Sequence, residues 1–200
     1  ASGKEGFVRH LECGEILDQI AWVRKDYGKW PTNLVYMGMG EPLDNFDSVV
    51  RSIRIANAPQ GYGIGQRRIT VSTVGVVPGI KKLGEENLGQ IKLSFSLHSP
   101  DPAVRSKLIP VNRKYPLASI VEALKNVQQS FKRKMTMEYI LIEGLTDREK
   151  DAAELTRISV SLNAKVNLIP YNPIVGEPYT RPSPAGIRAF QQRLEKKGVR

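Results

Sequence analysis

Four short polar segments carry residue types that can bind a small charged molecule. Glycine lets a backbone come close to a ligand, and a neighbouring carboxylate such as Glu41 accepts hydrogen bonds from an ammonium group. Ser72, Ser96 and Asn172 add neutral donors and acceptors that suit a carboxylate or a ribose. These features predict a site for a polar zwitterion with a sugar attached. The four segments are Gly38-Met39-Gly40-Glu41-Pro42, Ser72-Thr73-Val74-Gly75, Ser96-Leu97-His98-Ser99-Pro100 and Pro170-Tyr171-Asn172-Pro173.

Each of these features also has a plain structural interpretation. A Gly-x-Gly sequence after a strand is usually only a turn, and Glu41 followed by Pro42 can mark the start of a helix. A single histidine such as His98 is more often structural than catalytic. Two histidines and one cysteine, Cys13, are available in the chain, so the sequence predicts no metal site of its own. Only the combination of segments favours a functional site.

Alternating helices and strands must position the four segments. Apolar residues recur at helical spacing at Ile16, Ile20 and Val23. Five strands separated by helices imply parallel pairing through right-handed crossovers, in a doubly wound sheet or a barrel. In both folds the working residues lie just past the carboxyl ends of the strands, where the four segments fall. The predicted strands cover residues 33–37, 67–73, 91–97, 135–142 and 165–170, and the later helices residues 48–56, 117–131, 152–158, 183–196 and a stretch from near residue 78.

Composition limits the class of protein and suggests an anionic partner. The chain has 200 residues, 40% of them hydrophobic, which suits one globular domain. Thirty Lys and Arg residues against twenty Asp and Glu residues give a formal charge of +10, so nucleic acid is the first partner to test. A single cysteine and the lack of a long apolar stretch predict a reducing, cytoplasmic setting with no membrane span.

Two groups of basic residues are candidates for RNA binding. Arg67 and Arg68 open a predicted strand, and Lys107, Arg113 and Lys114 lie in the long loop predicted after the third strand. Such residues can hold a phosphate backbone. The aromatic residues are not interleaved with them, so RNA recognition by exposed aromatic rings is not predicted. A third basic run, residues 132–134, is predicted to end a helix as a solvated cap.

Five ordered motifs then resemble one known family. The sequence is similar to the RlmN/Cfr family of radical S-adenosylmethionine (SAM) RNA methyltransferases over nearly all 200 residues. The resemblance implies a partial (β/α)6 barrel, running from the second strand of the family's core to the sixth. The motifs are Gly38-Met39-Gly40-Glu41-Pro42-Leu43, Arg67-Arg68-Ile69-Thr70-Val71-Ser72-Thr73, Ser96-Leu97-His98, Ile109-Pro110-Val111-Asn112-Arg113-Lys114-Tyr115 and Asn167-Leu168-Ile169-Pro170-Tyr171-Asn172-Pro173.

The resemblance also implies which residues contact SAM. Gly40 and Glu41 match the residues that bind the methionyl amino end of the cofactor in the family. The other matching cofactor contacts are Ser72, Ser96, Leu97, His98 and Asn172. These positions all fall in the four polar segments.

Two cysteine sets of the family are not found in this chain. The family holds its [4Fe-4S] cluster with three cysteines spaced C-x3-C-x2-C, and residues 1–7 resemble the stretch that follows the third one. Its second catalytic cysteine belongs to a segment beyond Arg200. We therefore expect residues 1–200 to be a single core-domain fragment, without an N-terminal domain, cluster ligands or a catalytic residue, and to be inactive alone. Cys13 matches neither position.

The resemblance implies the reaction and the partners of the parent protein. RlmN types methylate C2 of adenosine in 23S ribosomal RNA and in some transfer RNAs through a methyl-cysteine intermediate, whereas Cfr types methylate C8. The expected partners are 23S rRNA, tRNA and an electron donor for the cluster, with a monomeric protein and no membrane. We favour the C2 enzyme. A non-catalytic RNA-binding α/β module and a barrel enzyme acting on an anionic metabolite stay open as alternatives of other classes.

Overall fold

A five-stranded parallel sheet forms the centre of the protein. The structure is a computed structural model and describes residues 6–199, so the expectation for residues 1–5 lies outside the described residues. The strand order is sequential, and all neighbouring pairs are parallel. A doubly wound sheet reverses its order partway, so this order confirms the predicted segment of a (β/α) barrel. The strands are β1 (Leu34–Tyr36), β2 (Ile69–Thr73), β3 (Lys92–Ser96), β4 (Thr136–Leu141) and β5 (Lys165–Pro170).

Seven α-helices accompany the strands within residues 6–199. A helix lies between each pair of successive strands, as the crossover argument predicts, and two lie between β3 and β4. None of the helices in this part of the chain is both long and apolar enough to cross a membrane. The helices are α1 (Cys13–Tyr27), α2 (Phe46–Asn57), α3 (Val77–Glu85), α4 (Pro102–Leu108), α5 (Leu117–Val127), α6 (Glu149–Ser161) and α7 (Pro184–Glu195).

The two faces of the sheet differ in chemistry because successive strand residues point in opposite directions. One face is apolar and packs into the hydrophobic core with the helices, through residues such as Val71, Phe95 and Tyr139. The other face is the inner face of the barrel segment, and it is mainly polar, apart from Val35, Ile140 and Ile169. Strand pairing places its residues side by side, with Ser72 beside Ser94, Ser96 beside Glu138, and Glu138 beside Asn167.

The helix boundaries in the structure agree with the sequence predictions at some positions and differ at others. The predicted cap of α7 is confirmed, since Ser183 Oγ accepts a hydrogen bond from the Gly186 N–H at 3.1 Å. The prediction of a long loop after β3 is wrong. The helix α4 forms there, with Asp101 as its N-cap and Pro102 in its first turn. The predicted helix over 117–131 is also too long. It ends at Val127 and a 3-10 turn follows, so residues 132–134 lie in the connection into β4 and do not cap a helix.

Candidate functional site

The four polar segments meet at the carboxyl-terminal edge of the sheet. All five strands are parallel, so their carboxyl ends lie along one edge. The segment after β1 turns sharply there: Gly38 has a φ of 130° and Gly40 a φ of 88°, in the region that favours glycine. The structure therefore brings the predicted site segments together, and the sequence supplies glycine where the backbone needs it.

Glu41 fastens the turn after β1 to the turn after β2. Its Oε1 accepts a hydrogen bond from the Leu43 N–H at 3.0 Å, and its Oε2 accepts one from the Val74 N–H at 2.8 Å. Burial raises the pKa of Glu41 above its usual value, against the opposing effect of these hydrogen bonds. Each carboxylate oxygen has a second acceptor position, so the group can still receive an ammonium donor.

Buried hydroxyl groups line the inner face below these turns. Ser72 and Ser96 are almost fully buried, and their Oγ atoms lie 3.3 Å apart. Sequence reasoning missed the carboxylate beside them. Glu138 Oε1 accepts a hydrogen bond from Ser94 Oγ at 2.9 Å, and Glu138 Oε2 accepts one from Asn167 Nδ2 at 2.6 Å. The signal was available, because strand alternation places Glu138 opposite the apolar face.

His98 has an unusual backbone conformation at the end of β3. Its φ is 57°, in the left-handed region that few non-glycine residues adopt, and its N–H donates to the Glu138 carbonyl at 3.2 Å. Its buried Nδ1 has no hydrogen-bond partner among residues 6–199. Burial, helped by the nearby charge of Arg105, lowers the pKa of His98 to about 4, so the ring is neutral at neutral pH. A neutral ring with an unpartnered nitrogen suits a ligand.

Arg105, which sequence reasoning also missed, holds the ends of β2 and β3. The side chain is fully buried and makes no ion pair with a carboxylate within residues 6–199. Burial lowers its pKa to about 10, which leaves it cationic at neutral pH. It donates to the carbonyls of Leu97 at 3.1 Å, Val74 at 2.6 Å and Ser96 at 3.3 Å, and to Asn112 Oδ1 at 2.8 Å. The residue lies in α4, where the sequence analysis expected a loop.

The segment after β5 lies at the same edge of the sheet, at the end of the strand furthest from β1. Asn172 is exposed, and its Oδ1 accepts a hydrogen bond from Arg181 Nη1 at 3.1 Å. The neighbouring Tyr171 is buried, and its Oη has no partner in the described part of the chain. The ring of Tyr171 packs edge to face against Tyr179, with centroids 5.9 Å apart. The predicted contact and an unpartnered hydroxyl therefore lie at the same strand end.

These residues fit SAM but do not fit an iron–sulfur cluster. The unpartnered His98 Nδ1, the buried serine hydroxyls and the carboxylate of Glu41 suit a zwitterion with a sugar. A [4Fe-4S] cluster needs several cysteine ligands, and the chain has one, Cys13. Cys13 is the first residue of α1, which packs against α2, and residues 6–199 contain no group of metal-ligating side chains.

The five candidate RNA-binding residues do not form one surface. Arg67 and Arg68 belong to a 3-10 turn just before β2, at the amino-terminal edge of the sheet. Lys107 lies in the last turn of α4, and Arg113 and Lys114 follow in and after a 3-10 turn beyond it. That group belongs to the carboxyl-terminal edge, because Arg105 of α4 contacts the strand ends there.

Comparison with known proteins gives a family and several similar chains. The profile of the radical SAM superfamily matches residues 2–156. A probable dual-specificity RNA methyltransferase RlmN of Akkermansia muciniphila is 45% identical over 98% of this chain and 54% of its own length. A dual-specificity RNA methyltransferase RlmN of Nitratiruptor is 42% identical over 99% of this chain and 56% of its own length. The chain thus spans about half the length of the curated relatives it matches.

Solved structures agree with the sequence comparison. A radical SAM methyltransferase from Sphaerobacter thermophilus superposes with a TM-score of 0.91 at 41% identity, over 98% of this chain and 58% of that one. A domain of a pyruvate-formate lyase-activating enzyme from Bacteroides vulgatus gives 0.63 at 20% identity, over 85% of this chain and 97% of that one, and shows the fold alone. The predicted resemblance to the RlmN/Cfr methyltransferases is confirmed, and the chain belongs to the radical SAM superfamily.

Proposed function

We propose that this chain is the SAM-binding core of an RNA methyltransferase of the RlmN type, which methylates C2 of adenosine in 23S rRNA and in tRNA. The observation that carries the proposal is the polar site at the carboxyl-terminal edge, where Glu41 joins the turns after β1 and β2 and the adjacent strand β3 leads into His98, whose Nδ1 has no partner within residues 6–199. The similarity to proteins named RlmN supports the substrate class.

The chain's own residues bind and orient the cofactor in this proposal. The turn of Gly40 and Glu41 receives the amino group of the methionyl end, because a carboxylate forms a strong hydrogen bond with an ammonium group. The remaining contacts are made by Ser72, Ser96, Leu97, His98 and Asn172. Because His98 is neutral, it accepts or donates a hydrogen bond without repelling the positively charged sulfonium. When bound, SAM supplies the methyl group and the radical chemistry of this superfamily.

The parts of the reaction that need cysteine chemistry lie outside these 200 residues in our proposal. A chain with one cysteine provides neither three cluster ligands nor an additional cysteine to carry a methyl group. We therefore assign the [4Fe-4S] cluster, the methyl-cysteine and the docking of an electron donor to other parts of a longer, monomeric, cytoplasmic protein. Residues 1–200 alone are expected to be inactive.

The test is methylation by the full-length protein. It is reconstituted with iron and sulfide without oxygen, given SAM, a reductant and unmodified ribosomal RNA, and the released nucleosides are identified by mass spectrometry. We expect 2-methyladenosine. Formation of 8-methyladenosine would assign the protein to the Cfr type, and no methylated adenosine despite an intact cluster and bound SAM would refute the proposal in favour of a non-catalytic RNA-binding module.

Paired variants connect the product to the proposed site. Glu41→Ala removes the carboxylate, and we expect it to abolish most of the methylation. Glu143→Ala removes an exposed carboxylate just beyond β4 at the same edge of the sheet, and we expect it to retain activity. Equal loss in both variants would mean that Glu41 has no special part in the reaction.

A further inference from the structure

A strongly basic cavity opens at the amino-terminal edge of the sheet, opposite the candidate SAM site. Its volume is about 450 Å³, and six of its seven lining residues are cationic. The lining residues come from the segments where four strands begin. These segments are the turn before β2, the start of β3, the connection into β4 and the first residue of β5. The lining residues are Arg67, Gln90, Lys92, Lys132, Arg133, Lys134 and Lys165.

The positive charge of this cavity is not neutralised within the described chain. None of the six cations forms an ion pair with a carboxylate among residues 6–199. Arg67 donates from Nε to the neutral Gln90 Oε1 at 3.3 Å, which orients it and leaves its charge unpaired. Six like charges around one cavity repel each other, and a bound polyanion would relieve that repulsion.

A second cavity extends the basic surface along the connection into β4. Its volume is about 430 Å³, and it shares Lys132, Arg133 and Lys134 with the first cavity. It adds one more cation, Lys125, and amide groups that can hydrogen-bond phosphate and ribose oxygens. The amides belong to Gln128, Gln129 and Asn163.

The lining favours a phosphodiester backbone over an acidic protein segment. Protein interfaces are anchored by apolar and aromatic side chains, whereas contacts to a nucleic-acid backbone come mostly from Arg, Lys and amide groups. The first cavity has no apolar lining residue. The apolar residues that line the second cavity, Leu93, Phe131 and Met135, are buried and belong to the hydrophobic core. Its cations come from separate elements, which suits a ligand with several separate charges better than one with a single anionic group.

We propose that this basic cavity binds the phosphate backbone of the RNA substrate, at the edge of the sheet opposite the SAM site. The inference rests on the proposed function, since it takes RNA as the substrate. Arg67 is already among the residues that the sequence predicts for RNA binding, and the cavity adds five further cations to it. A large folded RNA presents its target base at one edge of the sheet and phosphates at the other.

The test measures RNA affinity of the full-length protein by fluorescence anisotropy, using a labelled transcript of the ribosomal RNA region that is methylated. We expect the triple variant K132A/R133A/K134A to bind at least about tenfold more weakly at ~0.15 M salt, with the salt dependence of log affinity reduced by about 2. The charge-matched control R51A/K81A/R188A removes three exposed cations from α2, α3 and α7, and it should stay within about twofold of wild type.

A second variant tests the same cavity without changing residues 132–134, so that local misfolding of this connection cannot explain both results. R67A/K165A removes cations from two other elements, and the same direction of change is expected. The inference is overturned if both variants keep the wild-type RNA affinity and salt dependence. It is also overturned if the control loses as much RNA affinity as the variants, or if the wild type binds no RNA. Polyglutamate, an acidic peptide, is tested with the same variants. If the variants lose polyglutamate binding but keep wild-type RNA affinity, the cavity binds an acidic protein partner and the inference is overturned. Methylation by the wild type, measured in parallel, separates this failure from failure of the proposed function.

Discussion

In the proposed site, Glu41 combines a structural task with cofactor binding in one carboxylate. Its two oxygens already accept main-chain N–H groups from Leu43 and Val74, so the residue fixes the shape of the site before any ligand arrives. Its remaining acceptor positions are then presented on a rigid support. Pre-ordered groups of this kind lose little conformational entropy when a ligand binds.

Replacing Glu41 by Gln should weaken SAM binding at least about tenfold. The amide has one oxygen for two N–H donors and carries no charge for an ammonium group. Equilibrium dialysis of the full-length protein with labelled SAM measures the effect, and Glu143→Gln serves as the exposed control. Equal affinity in the two variants would contradict the assignment of Glu41.

The pH dependence of SAM binding tests the same residue. Burial raises the pKa of Glu41, so on acidification it becomes protonated at a higher pH than an ordinary glutamate. Wild-type affinity should therefore begin to fall in that acid range, whereas the Gln variant should lose affinity only where His98, with a pKa of about 4, becomes protonated. The folded state binds the proton of Glu41 more tightly than the unfolded state does. The contribution of Glu41 to the free energy of unfolding therefore decreases as the pH rises through the same range.

His98 should make stability sensitive to mild acid. Its folded pKa of about 4 lies below the usual 6.5, so the unfolded state binds more protons between these values and stability falls as pH decreases through them. We expect a loss on the order of 1 kcal/mol by about pH 5, measured by urea unfolding. His98→Asn, which tolerates the left-handed backbone, should remove this loss. The control His10→Asn, at an exposed position, should keep it.

At the scale of elements, α4 is the part that organises the site. Its Arg105 reaches the carbonyls at the ends of β2 and β3, and also Asn112 in the following 3-10 turn. One buried guanidinium thus replaces the hydrogen bonds that the strand ends lose where the sheet stops. The helix is short, with seven residues, so these contacts fix it more firmly than its own hydrogen bonds.

Replacing Arg105 by lysine should destabilise the protein. Arg105→Lys keeps the charge but lacks the planar set of donors, so buried carbonyls lose partners. We expect a loss of about 2–4 kcal/mol in the free energy of unfolding, together with weaker SAM binding. Arg157→Lys alters an exposed pair with Glu154 and should change stability by less than about 0.5 kcal/mol. A similarly small effect at Arg105 would show that the strand ends hold their shape without it.

The sequence predicted most elements because their signals are local. Alternation of strands and helices predicted a parallel α/β sheet, the family resemblance predicted the barrel segment, and Ser183 before Pro184 predicted the start of α7. The helix α4 was missed although Asp101 and Pro102 form the same kind of cap. Its importance comes from Arg105, whose partner Val74 lies 31 residues away in the sequence. Likewise, strand alternation places Glu138 on the polar face, but its neighbours Ser96 and Asn167 come from strand pairing, which a single sequence does not display.

At the scale of the molecule, the sheet separates two basic regions. Strands of five or six residues are about 17–20 Å long, so the groups at the two edges lie roughly that far apart. Arg113 and Lys114 lie beyond the carboxyl ends, on the side of the candidate SAM site. The cavity lined by residues 132–134 lies at the amino ends. A folded RNA is large enough to contact both.

Combining variants should tell whether one RNA molecule contacts both edges. We expect R113A/K114A to lower RNA affinity and to reduce the salt dependence of log affinity by about 1.5, since two phosphate contacts are lost. Adding these changes to K132A/R133A/K134A should reduce the salt dependence by the sum of the separate reductions, because distant sites on one ligand act independently. If the combined protein instead matches one of its parents, the two edges do not hold the same RNA molecule at once. The substrate would then be bound from one side of the sheet only, and the other basic region would serve a different anion.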